Sequence, residues 1–301
     1  MQLFIQLIVD GLGTGAVYAA IALAIVLVNQ ATGIVNFAQG GLAVLSAYIA
    51  LALVNVFTPL VGGVAALVIG IVLAAIVSFI LGALIERFII RRFEGGDPDT
   101  ATVATIGLLT LVTGLCGIIW GYNYLSFPWF FSTGAAFTVG GITISWWSVM
   151  SVVVIVVIMG LLQALFVGTK LGLALRAVSD NPHSAALSGL RVGRLLMVGW
   201  GLAAVLGAIA GTIIAPKLQM APQMLDEVLI YALAAVVIGG LDSPIGAVVA
   251  AFAISVIQNL VAVYVSFIGS DLKIIVPFVI VVIVLAVRPQ GLFGRKQVVR
   301  V

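Results

Sequence analysis

The sequence predicts an all-α, polytopic membrane protein with about eight or nine transmembrane helices, some of them broken or re-entrant. Of its 301 residues, 63% are apolar and only 8% are charged, whereas soluble domains carry about a quarter charged residues. The mean hydropathy is +1.35. Lipid can solvate such a surface and water cannot, so we expect no separate soluble domain.

Apolar stretches recur along the whole chain and set the number of helices. One crossing of the bilayer core needs about 20 apolar residues, and uncharged stretches of that length must be helical because lipid offers backbone groups no partners. We place these stretches at 6–28, 33–54, 62–85, 101–121, 146–167, 195–215, 226–240, 245–266 and 273–287.

Two of these stretches are interrupted. The one at 226–240 is too short for a comfortable crossing, and the one beginning at Gly33 contains two amides and several glycines. Interrupted helices in both halves of a transporter point to a substrate pathway. The alternative is that the glycines allow close helix packing and the amides bond neighbouring helices. On the pathway reading, the lining residues are Asn36, Phe37, Gln39, Gly40, Gly41, Gly239 and Gly240.

The basic residues predict the orientation. Eleven of the 13 lysines and arginines fall in loops that can share one side of the membrane, which the positive-inside rule makes cytoplasmic together with the C-terminus. The aromatic, glycine-rich loop at 122–145 then lies outside, either as an interfacial belt or as a docking surface. The eleven are Arg87, Arg91, Arg92, Lys170, Arg176, Arg191, Arg194, Arg288, Arg295, Lys296 and Arg300.

Several functional classes are disfavoured by what the sequence lacks. No phosphate-binding loop is present, and Gly11-x-Gly13-x-x-Ala16 lacks the preceding strand of a dinucleotide site. The carboxylates, Asp10 and Glu86 among them, lie near predicted helix ends, which disfavours coupling to an ion gradient. We predict no cofactor, no metal site and no enzymatic activity, and expect Cys116 to be a buried packing residue.

The loop at about 168–194 contains the clearest local signal. Asp180 or Asn181 can cap a helix that has Pro182 at its first position, and Gly189 can end it in a left-handed turn. We expect a two-turn helix that exposes Ala185, Ala186, Leu187 and Leu190, with His183 as an exposed polar residue. Such a helix needs something to pack against: either its own membrane domain or a cytoplasmic partner.

The whole chain resembles the membrane subunits of branched-chain amino acid ABC importers, specifically the shorter of the two paired permeases. Five patches in family order carry the resemblance. They are Gly33-Ile-Val-Asn-Phe-Ala-Gln-Gly40, Thr105-Ile-Gly107, the loop from Arg176 to Leu190, Gly239-Gly-Leu-Asp-Ser-Pro-Ile-Gly-Ala247, and Arg288-Pro-Gln-Gly-Leu-Phe-Gly294.

The resemblance implies a single permease domain over 1–301 in the bacterial inner membrane, taking up branched-chain or other hydrophobic amino acids. It implies a second homologous permease, two ATP-binding subunits and an extracytoplasmic substrate-binding protein as partners, and adds Thr105 and Gly107 to the pathway. Relatives also move urea, short amides and other small polar solutes; a passive channel and a purely structural subunit are the rival classes. The implied residues for coupling to the ATPase are Ser179, Asp180, Asn181, Pro182, His183, Ser184, Ala185, Leu187 and Leu190.

Overall fold

The computed structural model describes residues 1–93, 98–132, 134–266, 269 and 272–294. The basic residues Arg295, Lys296 and Arg300 of the predicted cytoplasmic tail lie outside them. The described part is almost wholly helical, which confirms the predicted all-α class. Its elements are α1 (Gln2–Thr32), α2 (Gln39–Val61), α3 (Gly63–Phe88), a 3-10 helix (Ile90–Phe93), α4 (Pro98–Trp120), β1 (Ala135–Val139), β2 (Ile142–Ser145), α5 (Trp146–Gly168), α6 (Lys170–Asp180), α7 (Pro182–Leu187), α8 (Val192–Leu218), α9 (Asp226–Gly239), α10 (Pro244–Tyr264) and α11 (Ile275–Val287).

Each predicted apolar stretch contains one helix, but the helices differ in length. Seven helices of the described residues are long and apolar enough to cross a membrane. The other two, α9 and α11, have 14 and 13 residues, which at 1.5 Å per residue span only about 20 Å of a core of about 30 Å. By length and composition, seven of the nine apolar helices among the described residues can therefore cross a membrane comfortably, and α9 is short as predicted.

The chain forms two compact units. The first comprises residues 1–26, 131–155 and 227–301, and the second comprises residues 27–130 and 156–226. Both units are discontinuous in sequence, and α1 and α5 each contribute to both.

In the first unit, glycines of α1 allow other helices to approach its backbone. A Cβ atom added at Gly11 would lie 2.9 Å from the Cα of Val256 in α10, and one at Gly13 would lie 2.6 Å from the Oγ of Ser148 in α5. Real Cβ atoms do not approach that closely. The glycines that imitate a dinucleotide fingerprint therefore lie within a helix and serve its packing.

The aromatic loop at 122–145 contains a β-hairpin that the sequence analysis did not predict. β1 and β2 pair as an antiparallel hairpin, and the turn between them has positive φ at both Gly140 (59°) and Gly141 (80°), as a two-residue type I′ turn requires. Gln6 of α1 donates to the backbone oxygen of Thr143 at 2.9 Å and accepts from its N–H at 2.8 Å. The hairpin is thus fastened to the first helix.

The second unit is built on close packing among α2, α3 and α8. Gly211 of α8 lies so near α2 that an added Cβ would be 2.5 Å from the carbonyl oxygen of Ala43, and Gly82 of α3 lies equally close to the carbonyl oxygen of Trp200 in α8. Ser78 of α3 donates a hydrogen bond of 2.7 Å to Ser46 of α2. Small residues let the backbones meet, as is common between membrane helices.

Candidate functional site

The interruption predicted near Gly33 is a break between α1 and α2. α1 ends at Thr32, Gly33 has φ +70°, and α2 begins at Gln39. The Asn36 side-chain oxygen accepts from the Ala38 N–H at 3.0 Å. This local bond offers the chain an alternative to helical hydrogen bonding, which is why Asn favours helix boundaries.

Both amide side chains of the break are fully buried and bonded to protein groups. Asn36 Nδ2 donates to Gln39 Oε1 at 3.2 Å, and Gln39 Nε2 donates to the carbonyl oxygen of Ala203 in α8 at 2.9 Å. The position of Gly207 makes room for this amide, because a Cβ there would lie 2.6 Å from Gln39 Nε2. The two amides therefore fasten the break to α8.

Thr105 holds the other side of the break. Its hydroxyl oxygen accepts from the Phe37 N–H at 3.0 Å and donates to the Thr102 carbonyl oxygen at 2.7 Å. Thr105 is fully buried, whereas Phe37 is half-buried. Two of the sequence patches, which lie about 70 residues apart, thus meet here, and the break is bonded to α4 as well as to α8.

The glycines after Gln39 form the first turn of α2. Gly40 and Gly41 are buried, and an added Cβ at Gly41 would lie 2.9 Å from a methyl carbon of Leu109 in α4. No side chain accepts a hydrogen bond from this turn. Its N–H groups carry the partial positive charge of a helix N-terminus, so the turn can attract an anionic or carbonyl oxygen.

The remaining predicted pathway residues are Gly107, Gly239 and Gly240. Gly107 is exposed on α4, and nothing lies within 4 Å of an added Cβ. Gly239 and Gly240 belong to the other unit. There, a Cβ at Gly239 would lie 2.3 Å from the carbonyl carbon of Gly246, and one at Gly240 would lie 2.7 Å from the N of Gly294. Close backbone packing requires glycine at these two positions.

The C-terminal patch completes the end of α9. The N–H of Leu292 donates to the carbonyl oxygen of Ile238 at 2.8 Å, and the N–H of Phe293 donates to that of Gly239 at 3.1 Å. The last carbonyls of a helix have no partner within the helix, and here the tail supplies two. The patches Gly239–Ala247 and Arg288–Gly294 both contribute to the family resemblance, but their contact was not predicted from the sequence.

The helix predicted in the loop at about 168–194 is confirmed as α7. The Asn181 side chain caps it by accepting from the Ser184 N–H at 2.9 Å, and Pro182 is its first residue. Gly189 has φ +83°. The Leu190 N–H bonds the Ala185 carbonyl oxygen at 3.1 Å and the Gly189 N–H bonds that of Ala186 at 3.0 Å, which is the Schellman pattern.

The exposure predicted for α7 is wrong at Ala185. That residue is 5% exposed and packs with Val178 of α6 and Leu196 of α8, and Leu190 packs partly buried against the same cluster. The physical reason is that the left-handed turn at Gly189 folds the chain back over this face of the helix. Leu187 is 78% exposed, and the other exposed residues of α7 and of the predicted coupling set are Ser179, Asp180, Asn181, Pro182, His183, Ser184 and Ala186.

The sequence analysis missed α6, which precedes α7. Thr169 caps it by accepting from the Gly172 N–H at 3.0 Å, and its buried residues Gly172, Leu175 and Val178 recur every third residue. That spacing and the capping threonine were the available signals. The Ser179 hydroxyl of α6 donates to the Gln30 carbonyl oxygen near the end of α1, so the loop is anchored to the membrane helices before α7 begins.

Comparison with known proteins gives a consistent assignment. The family model described as branched-chain amino acid transport system / permease component matches residues 7–285. A probable branched-chain amino acid transport permease protein LivH of Methanocaldococcus jannaschii is 28% identical, over 91% of this chain and 87% of the relative. The permease protein BraD of a high-affinity branched-chain amino acid transport system in Pseudomonas aeruginosa is 25% identical, over 99% and 98%.

Escherichia coli LivH, a permease protein of the same kind of system, is 24% identical over 99% of this chain and 98% of its own. The structure of PsaBC from Streptococcus pneumoniae in complex with Fab aligns over 93% of this chain and 91% of that one, with a TM-score of 0.43 and 16% identity, which is too distant to bear on fold or function. The family match covers nearly the whole helical chain, and the chain belongs to the branched-chain amino acid transport system permease family.

Proposed function

We propose that this chain is a membrane subunit of an ATP-driven ABC importer that takes up branched-chain or other hydrophobic amino acids. The observation that carries the proposal is α7, a short helix fixed at both ends and exposing a leucine beside the membrane helices. The names of the relatives support the substrate class. The missing phosphate-binding loop means that the energy has to come from separate ATP-binding subunits.

α7 is suited to transmit force to or from a partner. A helix of six residues does not persist by itself, but the Asn181 cap, the Schellman turn and the burial of Ala185 fix this one in place. Leu187 projects from it with 78% of its surface exposed. An apolar side chain on a rigid support can fit a pocket of a cytosolic partner. Because α7 is packed against α6 and α8, a movement of the partner would move these helices as well.

The break between α1 and α2 supports a pathway beside the first turn of α2. In this arrangement Asn36, Gln39 and Thr105 fix the conformation of the break, while Phe37 and the turn at Gly40–Gly41 border the solute. The uncapped N–H groups of that turn attract the carboxylate of an amino acid without a buried cation. We propose Gly107, Gly239 and Gly240 as further residues of this pathway.

The remaining assembly follows from the family and the charge distribution. We propose one permease domain over 1–301 in the bacterial inner membrane, with the C-terminus and the loop at about 168–194 in the cytoplasm. A second homologous permease lies beside it, two ATP-binding subunits bind from the cytoplasm, and an extracytoplasmic binding protein delivers the amino acid.

The test is a charge placed on the exposed residue of α7. In vesicles containing the whole complex, Leu187→Asp should lower leucine uptake at least tenfold while ATP hydrolysis continues, because a carboxylate is costly to bury in an apolar pocket. Leu187→Met, which keeps an apolar side chain of similar size, should retain most uptake.

Two outcomes would contradict the proposal. Normal uptake by Leu187→Asp would show that α7 does not couple the subunits. ATP-independent leucine uptake into vesicles that contain this chain alone would identify a passive facilitator instead.

A further inference from the structure

A cavity between α3 and α8 combines apolar walls with arginines at one end. Its volume is about 500 Å³. The lining residues of α3 are four residues apart, so they share one face of that helix. In α8 the second and third lining residues follow the first by three and four residues, so they also share one face. The lining residues are Phe79, Ala83, Arg87, Arg91, Arg194, Met197 and Val198.

The three arginines differ in their partners. Arg91 forms a salt bridge of 2.6 Å with the fully buried Glu86 and also donates to the carbonyl oxygen of Gly193 at 2.6 Å. Arg87 and Arg194 are exposed and form no ion pair with a carboxylate of the described residues. The cavity thus ends at two arginines without a carboxylate partner among the described residues, of which Arg87 lies over the Phe88 ring at 5.5 Å, beside a third arginine that is fixed.

The position of Arg194 strengthens the need for an anion. It is the third residue of α8, whose N-terminus has no side-chain cap. A cation is unfavourable beside the positive end of a helix, and an anion there is favourable. A negatively charged group between Arg87 and Arg194 would therefore be stabilised by both side chains and by the helix end.

The walls identify what carries that negative charge. Phe79, Ala83, Met197 and Val198 continue from the arginines along two helices that are long and apolar enough to cross a membrane. A free anion would leave these walls without a partner, and an acidic peptide would have to bury its backbone polar groups there. A phospholipid matches both ends, because its phosphate meets the arginines and an acyl chain covers the walls.

We propose that this cavity binds an anionic phospholipid, with the phosphate between Arg87 and Arg194 and an acyl chain against Phe79, Ala83, Met197 and Val198. Basic pockets between membrane helices commonly hold such headgroups. The lipid covers the seam between α3 and α8 and is independent of the transport pathway proposed above.

Native mass spectrometry of the purified complex, titrated with phosphatidylglycerol or phosphatidylcholine, tests the proposal. Phosphatidylglycerol should bind about thirtyfold more tightly than phosphatidylcholine. In the double variant Arg87→Gln/Arg194→Gln this preference should fall by about thirtyfold or vanish, since each arginine near a headgroup contributes about one factor of five. Arg176→Gln, which alters an exposed arginine of α6 outside the cavity, should leave the preference unchanged.

Two further measurements separate lipid from free phosphate and from a nonspecific charge effect. Inorganic phosphate should not displace phosphatidylglycerol, and Ala83→Phe, which fills the cavity but retains every arginine, should weaken its binding. Displacement by millimolar phosphate would assign the site to the small anion. An equal preference for phosphatidylglycerol in wild type and in Arg87→Gln/Arg194→Gln would refute the site.

Discussion

Replacing Gln39 by leucine should reveal how much the break between α1 and α2 depends on its amides. Leucine is similar in size but removes the bonds to Asn36 and to the Ala203 carbonyl oxygen, at 3.2 and 2.9 Å. A hydrogen bond between membrane helices contributes about 0.6 kcal/mol on average and up to about 1.7. Asn36 Nδ2 also loses its acceptor while buried, which costs about 1–3 kcal/mol. We expect Gln39→Leu to lower the free energy of unfolding by about 2–4 kcal/mol.

The measurement is an equilibrium unfolding titration in mixed micelles, combined with uptake per inserted complex. Thr110→Val is the control, because the exposed Thr110 bonds only its own helix, and its effect should stay within about 0.5 kcal/mol. Adding Asn36→Ala to Gln39→Leu removes the orphaned amide, so the two effects should not add. If they add within about 0.5 kcal/mol, the amides are not coupled and the reasoning fails. If uptake falls only in proportion to abundance, the break has a packing role alone.

Two further predictions concern glycine and capping positions. Gly239→Ala should lower membrane abundance several-fold, because the added Cβ would meet backbone atoms at 2.3–2.4 Å. Gly107→Ala has open space around the added Cβ and should leave abundance unchanged. Equal abundance of the two variants in an immunoblot of membranes would contradict the packing argument. Asn181→Ala should lower the stability of α7 by about 1 kcal/mol, and Gly189→Ala should lower it by about 1–2 kcal/mol. Both variants should therefore be cleaved faster by protease within the loop at about 168–194. Unchanged cleavage in both would mean that the caps do not hold the helix.

The sequence predicts the helices well and their local ends best. Asn181, Pro182 and Gly189 act on groups within a few residues of themselves, so the closing of α7 follows from chemistry readable along the chain. The long apolar stretches are equally readable, because lipid forces each of them into a helix. The hairpin was also predictable, because apolar and polar residues alternate on either side of Gly140–Gly141. The aromatic composition of that loop led to the interpretation of a belt or docking surface instead.

Contacts between distant segments could not be predicted in the same way. Nothing in the sequence near Gln39 indicates that its amide reaches Ala203, or that Thr105 bonds the Phe37 N–H. The burial of Ala185 likewise depends on contacts with α6 and α8, and the residues of α7 alone do not indicate these contacts. For the same reason the cavity beside Arg87 and Arg194 is invisible in sequence, since its two walls are more than 100 residues apart.

The pairing of the C-terminal patch with α9 has a consequence for the order of folding. α9 has only 14 residues, and the carbonyl oxygens of Ile238 and Gly239 at its end accept hydrogen bonds from Leu292 and Phe293. Those donors are translated more than 50 residues later, after α10 and α11. Almost the entire polypeptide therefore has to be synthesised before the last carbonyls of α9 have their hydrogen-bond donors. Until then the end of α9 is open to premature association or degradation.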